Sequence, residues 1–505
     1  MQTSRTTTLS FDEYVQHDAT GLAQLVRSGE VTAPELLETA IARAEAVNPE
    51  LNAIVTPLYD KGREMATHLP GDGPFRGVPF LLKDLEFEWA GTPMKSGCRG
   101  YQNYVSTTDS EVVRRLKAAG LVFFGKTNTP EFGLTPYTEP QLYGPARNPW
   151  KPTHSPGGSS GGSAVAVAAG IVPAASASDG GGSIRIPAAC CGLFGLKPSR
   201  GRVTLGPRFG ELWNGAVIGH SVTRSVRDSA GLLDAIAGPL AGDPYGITPP
   251  ERPFVEEVSR EPGRLRIAFS TQTLIPAQSV DPECVNAVRD AAQLLESLGH
   301  TVEEIALPYE KSIVTEAFFV NVLSETAATL RELGEYLGRP TQRSDVELNT
   351  WAQARLAEGF SATDVAYQKR RWNSLNRSMG QLHEKYDVFL TPTLPRPPIA
   401  IGTFQNKASE QRLLKLVDSL GGLKYLNGSK IVDELAERSL GYISFTVITN
   451  MTGQPSMSVP LHWSPDGLPI GTMFAAKLGD EATLFRLAGQ LEKARPWFNK
   501  RPTSY

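Results

Sequence analysis

The sequence predicts an α/β protein: a single large α/β/α unit with a central mixed, mostly parallel sheet covered by helices. Three observations predict it. Short apolar runs alternate with amphipathic ones along most of the 505 residues, the pattern of strands feeding crossover helices. Several change-overs carry a helix cap or a stopping glycine. The composition, 40% apolar and 20% charged, is that of a soluble globular chain long enough to bury a large core.

From the N-terminus, Thr32-Ala33-Pro34-Glu35 opens a helix with a capping box, and Leu36, Leu37, Ala40 and Ala44 follow at helical spacing. This helix belongs to an N-terminal helical segment, 1–62, expected to pack outside a core at 77–200. Residues 78–82 form an apolar run that reads as a buried strand ending at Lys83. Residues 109–119 read as a helix closed by Gly120, and 121–124 as the strand after it. A small-residue helix at 163–169, stopped by Gly170, precedes a small-residue strand at 172–178. Strand 265–269, helix 282–298 closed by Gly299, and strand 302–305 repeat the grammar. Residues 388–390 and 481–491 supply a late strand and a terminal helix. No low-complexity linker divides residues 1–505. The stretch 238–263, rich in Pro, Gly and acidic residues, is the best candidate for a subdomain hinge.

Bulk properties exclude several function classes. With 50 basic and 53 acidic residues the net charge is −3, which points to neither nucleic acid nor an anionic membrane. The longest mostly apolar run, 164–177, is broken by Gly170, Pro173 and Ser176 and is too short to span a bilayer. Residues 1–10 are polar and carry no apolar signal core. Cys98, Cys190, Cys191 and Cys284 lack zinc-ligand spacing and read as reduced thiols. A cytoplasmic protein is the expectation.

Three short strings carry the chemistry: Leu82-Lys83-Asp84, Gly157-Gly158-Ser159-Ser160-Gly161-Gly162 and Asp179-Gly180-Gly181-Gly182-Ser183-Ile184-Arg185. They offer a base, a relay and a nucleophile. Ser159 and Ser160 stand just ahead of a helix start, where hydroxyls cap and N–H groups point outward. The glycines after Asp179 let backbone N–H groups converge on an oxyanion. The apolar run before Lys83 offers the burial that a lysine base needs to become neutral. Each string alone is more often a turn, a loop or a helix start; their joint occurrence carries the argument.

Other catalytic designs fit less well. Gly157-Gly158-Ser159-Ser160-Gly161 also matches the Gly-x-Ser-x-Gly nucleophile elbow, but Pro149, Pro152 and Pro156 stand where the elbow needs a strand. None of the seven histidines lies in a motif with a nearby acid and a serine elbow. No His-Glu-x-x-His or Gly-x4-Gly-Lys string occurs. His154, the histidine closest in sequence to these strings, reads as a loop residue. No metal and no cofactor are expected.

The stretch 155–199 resembles the signature block of the amidase signature family of serine hydrolases. The match combines Lys83 at a strand end, the Gly-Gly-Ser-Ser-Gly-Gly string, and an Asp-x-Gly-Gly-Ser-x-Arg-x-Pro-Ala string, with Ser159 and Ser183 24 residues apart. Gly125-Lys126-Thr127-Asn128, Arg147-Asn148-Pro149-Trp150, Cys191-Gly192-Leu193-Phe194-Gly195-Leu196-Lys197-Pro198 and Thr452-Gly453-Gln454-Pro455 extend it. The resemblance implies a Ser–cis-Ser–Lys triad. Ser183 would be the nucleophile, Ser159 the bridging serine with its Gly158 peptide in cis, and Lys83 the base. It implies an oxyanion hole from the amides of Gly180, Gly181, Gly182 and Ser183. Ser160, Asp179 and Arg185 would hold the loop. At Gly180 the family commonly carries threonine or another side chain, so glycine there predicts extra space and a looser loop.

Within the family, Thr138-Glu139-Pro140 and Glu492-Lys493-Ala494-Arg495-Pro496-Trp497 are similar to a bacterial branch of the 6-aminohexanoate-cyclic-dimer hydrolase type. That likeness implies cleavage of carbon–nitrogen bonds in small linear or cyclic amides through an acyl-enzyme, with aryl amides, carbamates and esters as further substrates. A small-molecule amide is the partner implied, and a homodimer is a candidate assembly. Segments 132–143, 318–323 and 442–448 are either walls of an apolar pocket or core. Two other readings stay open. One is the glutaminase-type subunit of a tRNA-dependent amidotransferase. The other is a catalytically dead binding protein, against which the intact Lys83, Ser159 and Ser183 argue.

Overall fold

The computed structural model describes residues 9–275, 278–426 and 440–503. Residues 1–8 of the N-terminal segment lie outside the described residues. Helix α1 (Ala33–Leu51) starts as its capping box demands: Thr32 Oγ1 accepts the Glu35 N–H, and the Glu35 carboxylate accepts the Thr32 N–H at 2.7 Å. Its apolar stripe, including Leu36, Leu37, Ala40 and Ala44, is buried.

Eleven strands make one sheet. They are β1 (Ile54–Pro57), β2 (Pro79–Lys83), β3 (Val122–Thr127), β4 (Ala174–Asp179), β5 (Phe194–Lys197), β6 (Ile218–Thr223), β7 (Arg266–Phe269), β8 (Thr301–Glu304), β9 (Val388–Pro392), β10 (Ser456–Trp463) and β11 (Pro469–Ala476). Their order is β1-β3-β2-β4-β6-β5-β10-β11-β9-β7-β8. Strands β2, β3, β4, β6, β9 and β11 are buried along their whole length, as strands covered on both faces must be.

The sheet is mixed, but it is not mostly parallel. Four of its ten adjacencies are parallel and six are antiparallel. The parallel pairs lie toward its two ends (β3–β2, β2–β4, β9–β7, β7–β8) and antiparallel pairs fill the middle. One cause is local. β10 and β11 are joined by a tight turn in which the Ser464 carbonyl accepts the Gly467 N–H at 2.8 Å and Gly467 adopts φ +79°. So short a connection returns antiparallel, whereas a parallel return needs a crossover of a dozen residues or more.

Three short helices bring the site together: α2 (Gly161–Ala168), α3 (Arg185–Cys191) and, much later in the chain, α6 (Val447–Thr452). Helix α2 begins at Gly161, inside the string read as a loop, with Ser160 at its N-cap. Between α3 and α6 run two long helices that alternation did not anticipate, α4 (Lys311–Leu337) and α5 (Ala362–Lys385), packed on one another. By length and composition α4 could cross a membrane; here Phe318 and Phe319 on it line a cavity.

Residues 238–263 are pinned to both sides. Arg115 Nη1 donates to the Gly238 carbonyl at 2.7 Å, Arg202 Nη1 to that of Thr248 at 2.9 Å, and the Phe254 ring packs on Phe485. Strands from before and after this stretch share the sheet.

Helix α7 (Glu481–Ala494) is locked down by a buried fork. Arg202 reaches Glu481 through Nε at 3.1 Å and Nη2 at 3.0 Å, and the Ser199 N–H donates to the same carboxylate at 2.9 Å. Glu481→Ala would leave the Arg202 charge buried without its partner, a loss of about 3–5 kcal/mol. A marked drop in the denaturant midpoint is the expected outcome.

Candidate active site

Lys83 closes β2 and is fully buried. Its main-chain N–H donates to Ser176 Oγ at 2.7 Å, so β4 fixes the strand end. Its Nζ donates to Ser159 Oγ at 2.7 Å and to Ser178 Oγ at 2.8 Å. Burial pulls the Lys83 pKa down to about 8, with Glu86 and Asp179 opposing the shift. No carboxylate touches the amine directly among the described residues, so a substantial fraction of it is neutral near pH 8.

Ser159 follows the Gly158–Ser159 peptide, which is cis, and it is buried. Ser160 clamps this loop to β4: its Oγ accepts the Ser178 N–H and donates to the Ser178 carbonyl, each at 3.3 Å. Ser159 and Ser183 line one cavity of about 330 Å³. The Ser183 hydroxyl forms no hydrogen bond with another described residue. Lys83 and Ser159, 76 residues apart along the chain, thus touch, and Ser183, 24 residues further on, shares the cavity with Ser159 without a hydrogen bond between them.

Asp179 shapes the glycine loop. Its Oδ1 accepts the Gly182 N–H at 2.7 Å, and its Oδ2 accepts the Ile184 N–H at 3.1 Å. Arg185 grips both oxygens, Nε to Oδ2 and Nη2 to Oδ1, each at 2.9 Å. Burial would raise the Asp179 pKa, but the Arg185 charge and hydrogen bonds outweigh it and hold the carboxyl well below the usual range.

Two expectations for the loop need correction. The Gly182 N–H is consumed by Asp179, so it is not free for an oxyanion; Gly180, Gly181 and Ser183 are the loop residues that line the cavity. Gly180 does not leave open space either. A Cβ there would meet Val217 at 3.1 Å and the Trp213 ring at 3.2 Å, so these two side chains fill the room a larger residue would take.

Sequence reading missed the residues that tie the loop down from α6 and just before it. Arg185 Nη1 donates to the Thr446 carbonyl at 2.8 Å and to Thr449 Oγ1 at 2.7 Å, and Nη2 to Asn450 Oδ1 at 2.6 Å. Asn450 Nδ2 returns a bond to Asp179 Oδ1 at 2.8 Å. Thr446 Oγ1 donates to the Gly181 carbonyl at 2.6 Å. The only local signal was that Asn450 stands just before Thr452-Gly453-Gln454-Pro455.

The expected wall segments contribute unevenly. Phe132, Leu134, Tyr137, Phe318, Val322 and Ile443 line the cavity. Tyr143 instead donates to Asp84 Oδ2 at 2.8 Å, and from 442–448 only Ile443 is a lining residue. His154 lies in a bridge with Ala400, its ring against Thr153, away from the cavity. All four cysteines are buried and unpaired.

Known proteins share this arrangement of the chain. A family profile described as Amidase matches residues 35–485. The chain belongs to the amidase signature family. This amidase is 39% identical, over 96% of both chains, to the 6-aminohexanoate-cyclic-dimer hydrolase of Pseudomonas sp. (strain NK87). A solved 6-aminohexanoate cyclic dimer hydrolase in complex with substrate superposes with a TM-score of 0.88 at 36% identity, over 97% of this chain and 99% of that one. A glutamyl-tRNA(Gln) amidotransferase subunit from Thermotoga maritima superposes with a TM-score of 0.71 at 26% identity, over 97% and 95%. The amidase is thus a hydrolase acting on amides.

Gly182 carries φ +132°, and a Cβ there would sit 2.4 Å from Thr446 Oγ1. Gly182→Ala must displace either the loop or the 446–450 tie. Activity lost by about 100-fold or more, with circular dichroism unchanged, is the expected outcome.

Proposed function

We propose that this amidase cleaves small-molecule amides through an acyl-enzyme on Ser183, with Ser159 as relay and Lys83 as base. The observation that carries the reading is the buried Lys83 amine, depressed to a pKa of about 8 and hydrogen-bonded to Ser159 in the wall of the cavity that Ser183 also lines. Neutral Lys83 takes a proton from Ser159 as Ser159 takes one from Ser183. Ser183 Oγ attacks the carbonyl carbon, and the amides of Gly180, Gly181 and Ser183 stabilise the oxyanion. The proton returns through Ser159 to the leaving nitrogen, the C–N bond breaks, and water releases the acid by the same relay in reverse. No step calls on a metal or cofactor.

The walls support a linear, cyclic or aryl amide with an apolar acyl part, because Trp213, Phe318, Phe319, Val322 and Ile443 line the cavity that the serines share. Carbamates and esters share the carbonyl chemistry. The same walls argue against glutamine, and so against the amidotransferase-subunit reading.

A fluorophosphonate should label Ser183, and Ser183→Ala should lose about 1,000-fold or more in kcat. Label found on Ser159 instead, by peptide mapping, would reverse the two roles. The pH profile follows from Lys83. Its protonated form is inactive, so kcat/KM should fall about tenfold per unit below pH 8 and level off above it. A profile flat from pH 6 to pH 9 would exclude Lys83 as the base.

A further inference from the structure

Glu86 is not used by the mechanism above, yet it stands beside it. It lies three residues past Lys83, in the left-handed region at φ +68°, which a residue with a side chain seldom adopts. That turn places its carboxyl in the cavity wall. The Ser178 hydroxyl, which accepts from Lys83 Nζ, stands beside this carboxyl, and burial raises the Glu86 pKa against the pull of Lys83 and Ser178. Its Oε2 is buried and accepts no hydrogen bond. A buried carboxylate oxygen without a donor is costly, so a donor brought to it is favoured.

The other charged groups of the cavity are already satisfied. Glu88 and Glu332 both hold Arg208, at 2.9 and 3.4 Å, and Tyr104 Oη donates to Glu88. The Glu325 carboxylate faces the main-chain N–H of Trp213, which opposes the rise in its pKa that burial causes. Among the described residues lining the cavity Arg208 is the one cation, and it is held by these two glutamates. The cavity wall therefore carries one carboxylate, Glu86, with an oxygen left unpartnered, and among the described lining residues no free cation.

We propose that Glu86 accepts a hydrogen bond from a substrate nitrogen, so that the site takes amides bearing a second N–H donor, an amine or a further amide, near the scissile bond. Amides bearing a carboxylate at that place are rejected, because it would face Glu86 with no cation to meet it. The inference rests on the cavity being the substrate site; it does not require the triad roles to be right.

The test is a series of ω-aminoacyl p-nitroanilides of increasing chain length, each paired with the n-alkanoyl and ω-carboxyacyl anilide of the same length. At the best length the amino compound should exceed its alkyl partner in kcat/KM by about tenfold to a hundredfold, the range of a hydrogen bond to a charged group. The carboxylate should be slowest. In Glu86→Leu the amino-to-alkyl ratio should fall to near one. The ratio within one variant cancels any disturbance of Lys83, which acts on both substrates alike. A wild-type ratio near one at every length, or a preference that survives in Glu86→Leu, would overturn the proposal. Should the enzyme cleave no anilide, the Ser183→Ala protein can be titrated calorimetrically with ω-amino and n-alkyl carboxamides. Tighter binding of the amino form, lost in Ser183→Ala/Glu86→Leu, would sustain the role of Glu86 while the proposed reaction fails; equal binding would overturn it.

Discussion

The buried Asp179–Arg185 pair is the interaction on which the site depends. Burying two charges costs more than their attraction returns unless every remaining lone pair and proton is met. Here they are met. Asp179 takes two loop N–H groups, both arms of Arg185 and the Asn450 amide, while Arg185 spends its other donors on Thr446, Thr449 and Asn450. Four pieces of the chain converge on it: the end of β4, the glycine loop, the start of α3 and the 446–450 segment. The position of Ser183, inside that loop, follows from a network closed by residues more than 260 positions away.

The same burial acts on Lys83 with the opposite result. Arg185 meets a carboxylate and stays charged. Lys83 meets two serine hydroxyls and no carboxylate, with Glu86 and Asp179 acting on it only as nearby charges. Desolvation is left partly uncompensated, and the amine is eased toward its neutral form. One site thus holds a permanent cation that builds the loop and a labile one suited to moving protons. The difference lies in their neighbours.

The sheet reconciles these demands. Parallel pairing of β2 with β3 and β4 sets the C-terminal ends of two adjacent strands side by side, which is where Lys83 and Asp179 stand. The antiparallel strands β6, β5, β10 and β11 then carry the sheet across to β9 and β7. Helix α3 packs against β10 and β11 as well as β5. This couples the glycine loop to strands formed only when the C-terminal part of the chain folds back.

Sequence by itself determined what is local. The capping box of α1, the apolar run of β2, the small-residue runs around α2 and β4, and the serine spacing all follow from short-range propensity and patterning. The strings that hold Lys83, Ser159 and Ser183 are legible in the same way, although no contact is visible in them. Tertiary structure decided the rest. Strand direction depends on which strands become neighbours, so a reading by alternation favoured parallel pairing and overlooked the β10–β11 hairpin. Gly182 looked like a free oxyanion donor until Asp179 was seen to hold its N–H, and Gly180 looked roomy until Trp213 and Val217 filled the space. Asn450, Thr446 and Glu86 matter only through partners brought near by folding. Their chemistry lies in burial and in long-range contacts, and neither leaves a periodic trace along the chain.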